Sequence, residues 1–161
     1  GMRVHCMSQR DIHEAIEARI MIEVYASTAA IQKAKESNDI ILQLEENIRR
    51  DERLIQETDD LSSYSEKAQE ELEISQTFHQ ILVESTNNQV ILNAYQNITN
   101  HRYIYYQLGK NKKKQALASI QEHKSILECL KKGDEQGMRK AIIVHLQARE
   151  DDVAFAYQDL I

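Results

Sequence analysis

The chain contains no proline and only four glycines in 161 residues. Tight β-turns depend on those two residue types for their fixed or positive φ angles, so a fold made of many hairpins has almost no material for its corners. Apolar residues recur in steps of three and four almost from end to end, the spacing of one face of an α-helix. A chain of this length fills one domain. The expected fold is all-α, a single antiparallel bundle of about six helices.

The first helix, about residues 9–36, carries the stripe Ile12, Ile16, Arg19, Glu23, Ala26 and Ala30, and a neighbouring stripe of Ile20, Val24 and Ile31 marks it as central. Ser37, Asn38 and Asp39 can cap a second helix to about 57, with Ile40, Ile41, Leu44, Ile48 and Ile55 on one face. A third ends near Thr86 and aligns Ala68, Leu72, Ser75, His79 and Leu82, with Phe78 beside them. Asn87 and Asn88 suit a helix end and the next helix start. The fourth helix, about 89–109, is rich in Tyr, and the Lys112, Lys113, Lys114 run beyond Gly109 reads as a solvated loop. A fifth helix, about 113–131, aligns Ala116, Ile120, His123, Leu127 and Leu130 before Gly133 stops it. Asp134 caps a sixth, about 135–159, whose inner line includes Met138, Ala141, Ile142 and His145.

Hydrophobic residues at 42% and charged residues at 29% are globular proportions. The formal charge of −6 repels a phosphate backbone over most of the surface, so no nucleic acid is expected to bind this chain alone. No apolar run reaches the roughly 18 residues of a membrane span, and no signal-peptide core is seen, so a soluble, cytoplasmic protein is expected. Cys6 and Cys129 then read as reduced thiols. Gly1 before Met2 reads as a tag remnant, with residues 1–8 a tail and 9–161 the domain.

Three histidines, His79, His123 and His145, fall on the apolar stripes of three different helices. One such histidine is ordinarily a satisfied core residue. Three together can aim neutral imidazoles, the commonest protein ligands of divalent transition metals, at one point inside a bundle. His5, His13 and His101 lie off these stripes. Arg19 and Glu23, one turn apart, read either as a buried ion pair or as an arginine aimed at a ligand carboxylate. Tyr103, Tyr105 and Tyr106 read as packing or interface residues. No phosphate loop, paired-Cys zinc signature, HExxH motif or nucleophile elbow occurs, and Cys129 has no basic partner in sequence.

At these residues the chain resembles the ligand-sensing C-terminal domain, FCD, of the FadR subgroup of GntR-type bacterial transcription regulators. The resemblance runs from about Asp11 to Leu146. DIHEAIEARIMIE is similar to the family's first-helix signature, with Arg19 and Glu23, and TAAIQKA continues it. FHQILVESTNN resembles its Phe-His to Asn element, and EHKSILECLKKGDEQGMRKAIIVHL its closing pattern.

The resemblance implies that metal-binding members use an Asp and three His to hold a divalent ion that helps bind a small organic acid. The histidines carry over onto His79, His123 and His145. The Asp would stand at position 75, where this chain has Ser75. The implied site is three imidazoles with open or water-filled positions, suited to zinc, nickel or manganese, while Gln76 and Glu71 are poorly placed to replace the Asp. The family's N-terminal winged helix has no counterpart in this chain, which implies a severed or stand-alone sensor.

The reading that follows is an effector-binding, homodimeric regulatory domain and not an enzyme. Its ligand is a small carboxylate, with Arg19, Arg102 and Ser75 on that ligand. A zinc enzyme using metal-bound water and a purely structural interaction bundle stay open beside it.

Overall fold

The structure, a computed structural model, describes the backbone of residues 8–58, 61–99 and 112–158, and the side-chain surroundings of all of these except 61–66, 112 and 153–158. Among the described residues there are six helices and no strand: α1 Gln9–Glu36, α2 Asp39–Gln56, α3 Leu61–Glu84, α4 Gln89–Thr99, α5 Lys112–Lys132 and α6 Glu135–Gln158. The all-α bundle expected from periodicity is the observed architecture. The fourth helix was expected to reach 109, and its stretch beyond Thr99 lies outside the described residues, as do Arg102, His101 and the three tyrosines.

Local chemistry sets the helix ends. Ser8 opens α1 with a capping box: its Oγ accepts from the Asp11 N–H at 3.2 Å, and the Asp11 carboxylate accepts from the Ser8 N–H at 2.7 Å. Asn87 takes a left-handed φ of 50° to end α3, and Asn88 Oδ1 accepts the Val90 and Ile91 N–H groups at the start of α4. At the end of α5 the Asp134 N–H reaches the Cys129 carbonyl and the Gly133 N–H the Leu130 carbonyl, a Schellman closure that needs the φ of 67° at Gly133. Asp134 then accepts the Gly137 N–H at 2.9 Å and starts α6.

Cross-helix pairs fix the directions. His13 to Glu150 and Thr28 to Glu135 run α1 antiparallel to α6. Asn47 to the Ile74 carbonyl and Arg50 to Glu70 run α2 antiparallel to α3. Glu45 to Lys131 and Glu52 to Lys124 do the same for α2 and α5. Helix α1 packs against all five others, the central place its two stripes predicted. The main core joins Ile12 and Ile16 of α1, Leu44 and Ile48 of α2, Phe78 and Leu82 of α3, Ile120 and Ile126 of α5, and Met138 and Ile142 of α6. Each large apolar side chain buried there contributes about 1.5–3 kcal/mol. No described helix is long and apolar enough to cross a membrane.

Candidate metal centre

Polar residues interrupt this core at one level. Arg19, Glu23, Ser75, His79, His123 and His145 are each at most 2% exposed. They occupy the apolar stripes of α1, α3, α5 and α6, so packing those stripes together also brings the polar groups together. Nε2 of His79 stands 3.0 Å from Nε2 of His145 and 3.1 Å from Nε2 of His123. One ligand atom from each of the three rings lies within 4.8 Å of the others. The His79 and His145 rings stack with centroids 4.8 Å apart, and Phe78 stacks on His123 at 4.1 Å with its plane 14° away.

Carboxylates stand behind two of the rings. His145 Nδ1 lies 2.7 Å from Glu122 Oε2 on α5. His79 Nδ1 is also 2.7 Å from Glu23 Oε2, at hydrogen-bonding distance but off the line of the ring N–H. A carboxylate at Nδ1 draws the ring proton there and leaves the Nε2 lone pair directed at the other rings. Nε2 atoms about 3 Å apart need a ring proton or a metal cation between them, because facing lone pairs repel, and the observed separations are also those of ring hydrogen bonds. Burial, together with His123, His79 and the arginines Arg149 and Arg19, holds His145 well below the usual histidine range, so its own protonation is disfavoured.

The geometry suits a metal ion in that role. Two imidazole nitrogens each about 2.1 Å from one ion are about 3.0 Å apart at 90° and about 3.4 Å apart at the tetrahedral angle, so the observed 3.0 and 3.1 Å need to open by at most a few tenths of an ångström to receive one. The three donors are neutral, borderline-soft nitrogens, the type that zinc, nickel and related ions take. The residues present therefore fit a divalent ion.

Arg19 holds Glu23. Its Nη2 is 2.8 Å and its Nε 2.9 Å from Glu23 Oε1, Nη2 also reaches the Tyr95 hydroxyl at 3.5 Å, and the guanidinium sits 5.8 Å from the Tyr95 ring centre. Burial works against the charge, but Glu23 and Tyr95 outweigh it and push the Arg19 pKa up. Of the two sequence readings of this pair, the buried ion pair is present, while Arg19 Nη1 keeps a proton with no hydrogen-bond partner. Ser75 lies one turn before His79, as its spacing requires. Arg102 is outside the described residues. The off-stripe His13 is half exposed and paired with Glu150.

Sequence reasoning missed Glu122 and Arg149. Glu122 adjoins His123 in sequence, but neighbours on a helix point about 100° apart, so Glu122 serves His145 on α6 instead. Arg149, one turn after His145, closes on Glu122 at 3.4 Å and on Asp152 at 3.2 Å, and donates to the Gln115 carbonyl at 3.2 Å. Burial pushes the Glu122 carboxyl up, and Arg149 opposes the shift. The i,i+4 spacing of His145 and Arg149 was the available signal.

The family model for the FCD domain matches residues 14–148. A curated relative, the HTH-type transcriptional regulator YdhC of Bacillus subtilis (strain 168), is 22% identical over 145 residues. That match covers 90% of this chain but 61% of the relative, so the chain spans about three-fifths of YdhC's length. Two solved structures share the fold. The metal-free FCD domain of TM0439 aligns with a TM-score of 0.72 at 20% identity, covering 96% of this chain and 99% of that one. The Zn2+-bound FCD domain of TM0439 aligns with a TM-score of 0.67 at 22% identity, covering 92% and 94%. Fold, matched length and the resemblance carried by the helix stripes agree: the chain belongs to the FCD domain family.

Proposed function

We propose that this chain is an effector-binding regulatory domain that holds a divalent ion through Nε2 of His79, His123 and His145 and takes a small carboxylate ligand beside it. The observation that carries the reading is the convergence of three Nε2 atoms, two at 3.0 and 3.1 Å from the third, in a core otherwise closed to water. The Zn2+-bound form of the TM0439 domain supports it. When bound, the ion supplies a positive centre whose remaining coordination positions attract carboxylate oxygens.

The chain's own residues supply the rest. Phe78 and the apolar stripes exclude water, Glu23 and Glu122 orient two of the rings, and Arg19 Nη1 keeps a donor for a ligand oxygen. In this reading Ser75, buried one turn before His79, is on the ligand and brings no charge of its own to the ion. Arg102 is proposed as a second cation toward the ligand.

YdhC is a regulator of the HTH type, which supports a regulatory rather than an enzymatic role. A ligand that binds one arrangement of the bundle or of a homodimer better than another shifts that equilibrium, and a linked DNA-binding domain would read the shift.

Elemental analysis of protein purified without a metal column, parent against His123→Ala, tests the reading. Stoichiometric zinc, nickel or manganese in the parent and its loss in the variant is the expected result. No metal in either, together with no zinc uptake on titration, would overturn it.

A further inference from the structure

Three imidazoles bring no charge to a divalent ion, and Ser75 brings none either. Compensation has to come from farther out, and two carboxylates stand behind the rings. Glu23 is fully buried and already tied to Arg19. Glu122 differs: it lies on α5 with a quarter of its side chain exposed, yet its Oε2 is 2.7 Å from Nδ1 of the buried His145. Arg149 holds it from the other side at 3.4 Å. Arg149 is itself fixed by the Gln115 carbonyl and by Asp152, so Glu122 has a braced position between two cationic or donating groups of α6.

Resting on the reading that the three imidazoles hold an ion, we propose that Glu122 is the positioning residue of the site. Its carboxylate takes the Nδ1 proton of His145 in a hydrogen bond, turns that ring's Nε2 toward the ion, and provides the negative charge that Ser75 does not. Arg149 keeps Glu122 from swinging into solvent. A carboxylate behind a ligating imidazole raises the ligand's basicity, and removing such a partner typically weakens metal binding 10- to 100-fold. The partly exposed position makes the test practical, because the buried Arg149 keeps its ion pair with Asp152 when Glu122 is changed.

The experiment is calorimetric titration of zinc alone into chelator-stripped protein, for the parent, Glu122→Gln, Glu122→Ala and the control Glu128→Gln, an exposed glutamate on the same helix. Nitrogen NMR of the imidazoles in the metal-free samples accompanies it. Expected are a 10- to 100-fold loss of zinc affinity in Glu122→Ala and a smaller loss in Glu122→Gln, whose amide oxygen still accepts the Nδ1 proton. The control should be unchanged, and His145 should move from a pure Nδ1–H tautomer to a mixture in Glu122→Ala. Zinc affinity of Glu122→Ala within threefold of the parent, or an unchanged His145 tautomer, would overturn the proposal. A parent that takes up no zinc overturns the ion reading, and the tautomer in the same metal-free samples then decides whether Glu122 governs His145.

Discussion

Arg19 and Glu23, one turn apart on α1, form an ion pair at 2.8 Å with side chains 1% and 0% exposed. Such a pair contributes little net stability, because desolvating two charges cancels most of their attraction, but removing one partner strands the other. Glu23→Gln and Arg19→Met should each destabilise the chain by about 3–5 kcal/mol. The double variant Arg19→Met, Glu23→Gln should lose clearly less than the sum. Urea unfolding of the three variants gives the comparison, and additive losses would mean that the two side chains act independently.

Zinc should protect the fold. A ligand bound only by the folded chain and present at about 100 times its Kd adds about 2.7 kcal/mol, which for a chain of this size raises Tm by roughly 5–10 °C. His123→Ala should abolish the rise, and a chelator should reverse it in the parent. Scanning calorimetry with and without zinc measures both, and an equal rise in His123→Ala would place the ion elsewhere.

Phe78 is fully buried and stacks on His123. Phe78→Ala should therefore cost about 3–5 kcal/mol through the cavity it leaves and also free the His123 ring. Phe78→Leu should recover much of the stability but little of the ring order. The ordered His123 imidazole signals in NMR separate the two effects.

Asp51 is buried at 1% exposure on the inner face of α2, neither of its oxygens has a hydrogen-bond partner, and burial pushes its pKa up to about 7. Below the unfolded value near 3.8 both states are protonated and the group contributes no difference. As pH rises, the unfolded chain releases the proton while the folded chain retains it, so stability falls until pH passes about 7 and is then level. Asp51→Asn should remove this slope and gain on the order of 2–4 kcal/mol over the parent at pH 8. The difference between parent and variant stability across pH 4–8 isolates the group from the histidines, and a flat difference would refute the assignment.

Gly133 adopts φ 67°, and an added Cβ would meet nothing within 4 Å. Gly133→Ala should therefore cost only the backbone penalty of the left-handed region, about 1–2 kcal/mol. Gly133→Asn should cost less. Thermal melts of the two variants check the order.

The helix stripes were legible because they are local. Ile12, Ile16, Arg19, Glu23, Ala26 and Ala30 recur at a period set by the helix itself, and all six are buried. The same holds for Ala68, Leu72, Ser75, His79 and Leu82 on α3. Caps at Asn88, Gly133 and Asp134 were equally legible, since the Asn88 and Asp134 side chains and the left-handed Gly133 backbone each satisfy backbone groups within a few residues. Placing His79, His123 and His145 on core faces required nothing more than that period.

What periodicity cannot carry is the register between helices. That Glu122 stands behind His145 rather than beside its neighbour His123, that Arg149 braces it, and that Asp51 is buried without a partner depend on how α5, α6, α2 and α3 slide and rotate against one another. Those offsets are set by side-chain packing across the whole core, in which a shift of one turn moves every cross-helix pair. The sequence by itself determined an all-α bundle, its turns and three inward histidines; tertiary packing alone decided that Nε2 of His79 meets those of His123 and His145 at about 3 Å and which carboxylates stand behind the rings.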